Sequence, residues 1–194
     1  MPKPSDAARA VLKTDRKAAE AALPHEHSLP VRLLDQVADL ADQPPLRVLC
    51  ASLIVGGLIG GDRKLARTGL KMLAAHTLAT LAKDFVKERV DRTRPRSSHK
   101  AGKDHRPRPG DNHAKEETSF PSGHSAGAAS VAAAFAREYP ALRIPAYAGA
   151  GLFALAQIPR CAHYPSDVGA GLAIGLVSEA VSDLATRLAV PDEE

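Results

Sequence analysis

The chain contains 194 residues with a formal net charge of +4, and 4% of its residues are aromatic, with no tryptophan. This length is enough for one domain with a substantial core. Its two cysteines, Cys50 and Cys161, match no metal-ligand spacing and argue against a disulfide framework. The basic residues concentrate between Lys87 and Lys115, where no aromatic side chains are interleaved for base stacking, so nucleic acid is not the expected partner.

The N-terminal part contains a polar segment followed by one amphipathic helix. Residues 1–28 have mixed charge and no apolar core, which predicts a flexible tail, frayed or partly helical, and no cleavable signal peptide. In residues 29–40 the apolar side chains fall on one stripe with polar ones opposite, the pattern of an amphipathic helix. Pro44 and Pro45 mark the stop that follows it.

Five apolar segments follow, and none shows the alternation of a strand. They are residues 48–61, 72–82, 120–136, 144–159 and 168–178. The expected fold is all-α, with residues 29–190 forming one bundle of about five apolar helices plus the amphipathic helix. Hydropathy alone leaves membrane insertion open, because uncharged runs of about 10–14 residues are shorter than the roughly 20 that a span requires. A basic loop at about residues 96–119 is expected between the second and third segments.

The first polar run, from Lys87 to Pro95, contains two cations seven positions apart. If the helix that begins near residue 70 continues, Lys87 and Arg94 lie on one side of it, and Pro95 fits its end. A guanidinium and an ammonium at one helix end form a clamp for a tetrahedral oxyanion. The alternative is a solvated, basic helix end.

The second run, Pro-Ser-Gly-His at residues 121–124, precedes an apolar helix. Ser122 is suited to an N-cap, and Gly123 lets the backbone approach a ligand closely. The unpaired N–H groups of a first helical turn attract anions. His124 could donate a proton to a leaving oxygen. The alternative is an ordinary capped helix with an incidental histidine.

The third run places His163 four residues before Asp167, near the start of the last apolar helix. A carboxylate that accepts a hydrogen bond from one imidazole nitrogen leaves the other nitrogen free to attack. Arg160, just before this pair, could be a further phosphate ligand. The alternative is a structural His–Asp pair that caps the helix.

The three runs together resemble the signature of the type 2 phosphatidic acid phosphatase superfamily. That family also includes lipid-pyrophosphate phosphatases, soluble acid phosphatases and vanadium haloperoxidases. Its signature is Lys, six residues, Arg-Pro; then Pro-Ser-Gly-His; then Ser-Arg, five residues, His, three residues, Asp. The matching positions are Lys87, Arg94, Pro95, Pro121, Ser122, Gly123, His124, His163 and Asp167. The resemblance extends over roughly residues 46–180.

The resemblance implies a role for each matched residue. His163 would be the nucleophile that takes the phosphoryl group, Asp167 would orient it, and His124 would protonate the leaving oxygen. The phosphoryl oxygens would be held by Lys87, Arg94, Ser122 and Gly123. Fixed cations would replace the magnesium that other phosphoryl-transfer enzymes use, so no metal or other cofactor is expected.

The chain departs from the signature at one position. Six residues before His163, where the family has its second arginine, stands Gln157, preceded by Ala156 in place of serine. Arg160 could reach the phosphate instead if the helix end near Pro159 is irregular. Otherwise a neutral hydrogen bond replaces a charge-assisted one, and turnover should fall about tenfold or more.

The function expected from the sequence is hydrolysis of a lipid phosphate or isoprenyl pyrophosphate through a phosphohistidine. The resemblance favours a multi-pass protein of the bacterial inner membrane. One alternative is a membrane protein on the same scaffold that binds phospholipid headgroups without turnover. Another is a vanadate-dependent haloperoxidase.

Overall fold

The computed structural model describes residues 5–101 and 105–189, and these form eight α-helices. The helices are α1 Asp6–Ala22, α2 Leu29–Ala38, α3 Gln43–Ile59, α4 Arg63–Lys87, α5 Pro95–Ala101, α6 Gly123–Glu138, α7 Arg143–Ala156 and α8 Pro165–Ala189. Two short strands, β1 Val90–Asp91 and β2 Arg108–Pro109, pair antiparallel. The prediction of an all-α fold is confirmed. The five apolar segments lie in α3, α4, α6, α7 and α8, and the amphipathic segment forms α2.

Helix α6 is the centre of the bundle and packs against α4, α7 and α8. Nearly all of its residues are buried, and most are alanine, glycine or serine. Small side chains let neighbouring helices approach closely: a Cβ on Gly171 of α8 would lie 2.4 Å from the Ser122 carbonyl oxygen. The close crossing of α6 and α8 brings the Pro-Ser-Gly-His run next to the start of α8.

The N-terminal segment differs from the expected flexible tail. Residues 6–22 form α1, which Ser5 caps by accepting a hydrogen bond from the Ala8 amide. The helix is held by Asp15, whose side chain is 1% exposed and pairs with the Arg92 guanidinium at 2.7 Å. Composition could not reveal this contact, because the partner of the buried carboxylate lies 77 positions away in sequence. Residues 1–4 of the expected tail lie outside the described residues.

The helix that begins at Arg63 does not continue to Arg94, so the condition under which Lys87 and Arg94 would share one helix face is not met. α4 ends at Lys87, and the following residues are extended, since the amides of Arg92 and Arg94 donate to the carbonyls of Glu117 and Glu116. Proline then opens α5, where its missing N–H costs nothing, instead of closing α4. The expected loop at 96–119 therefore contains most of α5, then β2 and a short turn of 3₁₀ helix at Lys115–Glu117.

The apolar helices differ in their length. Among the described helices, one stretch, Pro165–Leu188 of α8, is long and apolar enough to cross a membrane by length and composition. Gln43–Ile59 is apolar but shorter. The number of membrane spans therefore stays a prediction.

Candidate active site

A polar cavity of about 450 Å³ lies where α4 ends and α6 begins, beside the segment that joins α7 to α8. Six of the eight residues singled out from the sequence line it: Lys87, Arg94, Gly123, His124, Arg160 and His163. The other two, Ser122 and Asp167, are fully buried and do not line the cavity. The fold thus brings the three separate polar runs to one place, and the roles assigned to these residues remain predictions.

His163 is buried at the cavity wall with one ring nitrogen engaged. Its Nδ1 lies 2.7 Å from the carbonyl oxygen of Ser119, and since a carbonyl can only accept, Nδ1 carries the proton. The Nε2 atom of the neutral ring then holds the lone pair. Burial away from water lowers the pKa of His163 to about 4, so the ring is neutral at physiological pH. A neutral imidazole with a free lone pair can act as a nucleophile.

Asp167 supports His163 indirectly, in contrast to the direct hydrogen bond expected from the spacing. Its Oδ2 lies 3.9 Å from His163 Nδ1, beyond hydrogen-bond distance. The carboxylate instead accepts from the Ser119 hydroxyl at 2.6 Å and the Tyr164 amide at 2.9 Å. Asp167 therefore holds Ser119, and the Ser119 carbonyl holds the imidazole. The negative charge still lies close enough to stabilise a cationic ring.

Arg92 connects this carboxylate to the first helix, and sequence analysis did not single it out. Its guanidinium is 1% exposed, donates to Asp167 and to Asp15, and gives 2.7 Å contacts to Asp15 Oδ2 and Ser166 Oγ. Arg92 also lies over the Tyr164 ring at 4.2 Å. A buried guanidinium with two carboxylates and a hydroxyl is well satisfied, so it fixes Asp167 from the side opposite Ser119.

The Pro-Ser-Gly-His run forms the start of α6, as expected. Ser122 is the N-cap, and its hydroxyl accepts hydrogen bonds from Ser125. The Ser122 side chain is thus used inside the protein, while Gly123 lines the cavity. The first-turn amides and the helix dipole favour an anion at this point.

Two of the expected phosphate ligands anchor to carbonyls on the far side of the cavity. Lys87 Nζ donates to the Thr118 carbonyl at 3.0 Å, and Arg94 Nε donates to the Lys115 carbonyl at 2.7 Å. Burial, and then the nearby charges of Arg94 and Lys83, lower the pKa of Lys87 to about 8. Both side chains are therefore charged at neutral pH and retain further N–H donors for an anion.

Arg160 reaches the cavity but is already paired. Its guanidinium donates to the carboxylates of Asp35 and Asp39 on and just after α2, the latter at 2.9 Å. Gln157 is buried beside it, with Oε1 3.3 Å from Arg160 Nη1 and Nε2 donating to the Phe153 carbonyl. Any phosphate that binds Arg160 must compete with two carboxylates.

His124 meets a carboxylate from the turn that precedes α3. Its Nε2 lies 2.9 Å from Asp42 Oδ1, an ion pair when the ring is protonated. Asp39, Asp42 and His124 offer ligand atoms within 4.8 Å of one another, a geometry that could admit a cation. Two of the three are exposed acidic groups, which are common on protein surfaces without a metal.

Two histidines lie in a cavity lined by lysine and arginine at one end of a helical bundle, an arrangement suited to binding an anion such as phosphate. The sequence profile of the PAP2 superfamily matches residues 68–186, and the chain belongs to this superfamily. The resemblance drawn from the three runs is thereby confirmed.

The chain is similar to two proteins described as lipid A 1-phosphatases. The one from Rhizobium etli is 36% identical over 107 residues, which are 55% of this chain and 45% of that protein. The one from Rhizobium johnstonii is 47% identical over 57 residues, 29% of this chain and 23% of that protein. The aligned stretches thus span less than half the length of these relatives.

A solved structure has the same fold. It is the crystal structure of a transmembrane PAP2 type phosphatidylglycerolphosphate phosphatase from Bacillus subtilis, with a TM-score of 0.66 at 21% sequence identity. The similarity covers 95% of this chain and 90% of that one.

Sequence analysis missed three residues of the site, two because their contacts are distant in sequence and one although it left a local signal. Arg92 and Ser119 act through contacts with α1 and α8 that are distant in sequence. Lys83, which also lines the cavity, could have been found, because it lies one helical turn before Lys87 on the same face of α4.

Proposed function

We propose that this protein is a phosphatase that hydrolyses a lipid phosphate or lipid pyrophosphate through a phosphohistidine on His163. The observation that carries the proposal is the state of this side chain: buried, neutral, protonated on Nδ1 through the Ser119 carbonyl, and placed in a cavity with several cations. This is the protonation state that leaves Nε2 ready to attack phosphorus.

The reaction follows from the side chains around the cavity. A phosphoryl group binds to Lys87, Arg94 and the first-turn amides of α6. His163 Nε2 attacks phosphorus, and the bond to the leaving oxygen breaks as His124 gives that oxygen a proton. Water then attacks phosphorus, the bond between phosphorus and His163 Nε2 breaks, His124 takes a proton from that water, and inorganic phosphate leaves.

The relatives support a lipid as the rest of the substrate. Proteins similar to this chain are described as phosphatases of lipid A and of phosphatidylglycerolphosphate. Large apolar side chains on the outer faces of the helices support placement in a bilayer, with the cavity at its surface. Those exposed by more than half include Leu58, Ile59, Ile144, Leu155, Leu184 and Leu188. A multi-pass arrangement in a bacterial inner membrane is part of this proposal.

The test is phosphate release by the detergent-purified chain in the presence of excess chelator. The panel comprises lipid A 1-phosphate, phosphatidic acid, phosphatidylglycerol phosphate and an isoprenyl diphosphate. We expect release from at least one of them, lost in His163→Ala and His124→Ala but retained in His113→Ala, which changes an exposed histidine outside the cavity. Acid-labile, alkali-stable labelling of wild type, absent from His163→Ala, would identify the intermediate.

One observation favours a second function, binding of phospholipid headgroups without turnover. Arg160 is occupied by Asp35 and Asp39, and Gln157 is neutral, so the site has less free positive charge than the family signature provides. Headgroup binding that is unaffected by His163→Ala, with no phosphate released from the panel, would establish this function in place of hydrolysis.

A further inference from the structure

Lys83 is a buried lysine of α4 that no part of the family signature includes. It lies one turn before Lys87 and lines the same cavity as Lys87, Arg94 and His163. Its side chain is 8% exposed. A lysine this deeply buried is uncommon in proteins unless it is paired, and its carboxylate partner here, Asp84, is itself 48% exposed.

The side chain of Lys83 crosses the beginning of α6. Its Cε and Cδ atoms lie 3.3 and 3.4 Å from the position that a Cβ on Gly123 would occupy. Glycine therefore leaves room for this stem at the start of α6, where both Lys83 and Gly123 line the cavity. The ammonium and the N-terminus of α6 then favour an anion at the same point.

We infer that Lys83 is a third cationic ligand of the substrate phosphoryl group, supplying the charge that Gln157 does not. This inference rests on the proposed function, since it assigns a further residue to the same site. The inferred contact joins the Lys83 ammonium to a phosphoryl oxygen next to the first turn of α6, and it would contribute to substrate specificity.

Lys83 is better placed for this role than Arg160. Arg160 has two carboxylate partners, Asp35 and Asp39, in addition to the Gln157 amide oxygen. Within the described residues, Lys83 has one carboxylate partner, the neighbouring Asp84, whose side chain is 48% exposed and hence well solvated. An ammonium has three N–H donors, so Lys83 keeps donors for a ligand.

The positive charges of Lys83 and Lys87 repel each other when the cavity holds no anion. Like charges one helical turn apart repel, and burial weakens the solvent screening that would relieve this repulsion. The charge of Lys83 contributes to the lowered pKa of Lys87. A bound phosphoryl group relieves this repulsion, so Lys83 is expected to contribute to anion binding and not to stability.

The test compares Lys83→Met and Lys83→Gln with Lys64→Met in the full-length, detergent-purified chain. Lys64 is exposed, on the same helix, about 28 Å away along its axis at 1.5 Å per residue. The first readout is the dissociation constant of inorganic phosphate by titration calorimetry. The second is kcat/KM on the lipid phosphate that wild type hydrolyses, and the third is the melting temperature.

We expect phosphate affinity and kcat/KM to fall about ten- to a hundredfold in both Lys83 variants, the range for one charge-assisted hydrogen bond. Lys64→Met should match wild type, Lys83→Arg should retain most of the affinity, and the melting temperature should not fall. Wild-type phosphate affinity in a folded Lys83 variant would overturn the inference. If Lys83→Met does not fold, the phosphate affinity of Lys83→Gln tests the inference.

The outcome is separable from that of the proposed function. Turnover by wild type with unchanged phosphate affinity in the Lys83 variants would reject Lys83 and keep the phosphatase. Weaker phosphate binding in these variants, with no turnover by wild type on any lipid, would support Lys83 as an anion ligand and reject hydrolysis.

Discussion

The Nδ1 atom of His163 lies 2.7 Å from the Ser119 carbonyl oxygen and 3.9 Å from the nearest carboxylate oxygen of Asp167. A backbone carbonyl therefore sets the tautomer of the imidazole, and the carboxylate positions the residue to which that carbonyl belongs. The hydroxyl and the carbonyl of Ser119 thus have separate tasks, which can be tested separately.

Ser119→Ala should reduce stability but leave catalysis nearly intact. The substitution removes the hydroxyl that donates to Asp167 at 2.6 Å, a bond to a charged group worth about 1.5–3 kcal/mol. The Ser119 backbone is still held by its amide, which donates to the Arg92 carbonyl at 3.0 Å, so its carbonyl stays beside His163. We therefore expect kcat to stay within about threefold of wild type, less than the roughly tenfold that 1.4 kcal/mol would produce. The stability is measured by thermal unfolding and the catalytic rate as kcat, both on the same preparation. A large loss of kcat at normal stability would contradict this division of tasks.

The titration of Lys87 should appear as an alkaline loss of substrate capture. The charged form binds phosphate, and because its pKa is lowered to about 8, the charge is lost as pH rises through that value. In Lys87→Arg the charge persists, since arginine stays protonated throughout. The titration of the histidines affects both proteins equally and cancels in the ratio of wild-type to variant kcat/KM. Above pH 8 this ratio should fall about tenfold per pH unit. A ratio independent of pH between 7 and 10 would refute the assignment.

His163 should remain an effective nucleophile in mildly acidic solution. The neutral ring is the reactive form, and because burial lowers its pKa to about 4, protonation removes the nucleophile only as pH falls through that value. Formation of the phosphohistidine in single-turnover experiments should therefore retain its His163-dependent component at pH 5. Loss of that component near pH 6.5, the ordinary histidine pKa, would show that the ring is more hydrated than its burial indicates.

Releasing Arg160 from its carboxylates should strengthen substrate binding. The side chains of Asp35 and Asp39 are 42% and 62% exposed, so solvent screens these ion pairs and each is worth at most about 1 kcal/mol. The double variant Asp35→Asn/Asp39→Asn should lower KM about two- to fivefold by freeing the guanidinium. Adding Arg160→Gln should abolish this gain. If the gain persists in the triple variant, general surface charge and not Arg160 is its source.

Asp15→Ala should destabilise the protein strongly although the residue lies outside the cavity. Asp167 still compensates the charge of Arg92, but removal of the Asp15 carboxylate leaves Arg92 Nη2 and the Ser166 amide without their acceptor, and each buried donor left unsatisfied costs about 1–3 kcal/mol. The matched control is Glu20→Ala on the same helix, which breaks an exposed pair with Arg16 and should change stability by less than about 1 kcal/mol. Equal melting temperatures for the two variants would contradict the buried contact.

The sequence predicts the cavity-lining residues better than the residues behind them. Spacing and residue type identified His163, His124 and Gly123, because helix ends and reactive side chains leave local signals. Arg92 and Asp15 left no such signal: each is one charged residue among many, and burial depends on a partner far along the chain. The same limit explains why residues 1–28 were expected to be flexible.

The end of α4 at Lys87 is the other feature that the local sequence pattern could not predict. The Lys87–Arg94 spacing is compatible with two turns of helix, and Pro95 is compatible with either a helix end or a helix start. The extended conformation is stabilised by the backbone carbonyls of Glu117 and Glu116, which accept hydrogen bonds from the amides of Arg92 and Arg94. Both cations still reach the cavity, by a different path from the one expected.

The contact of Asp15 with Ser166 sets the order in which the protein can be completed during synthesis. The two residues are 151 positions apart and meet at 3.0 Å, Ser166 N to Asp15 Oδ1. At about 5–20 residues per second, the ribosome needs roughly 8–30 seconds to make the intervening chain. Helix α1 is made before α8 and must wait for the start of α8 before it can dock. The nascent chain therefore completes the candidate active site only after the ribosome has made the start of α8.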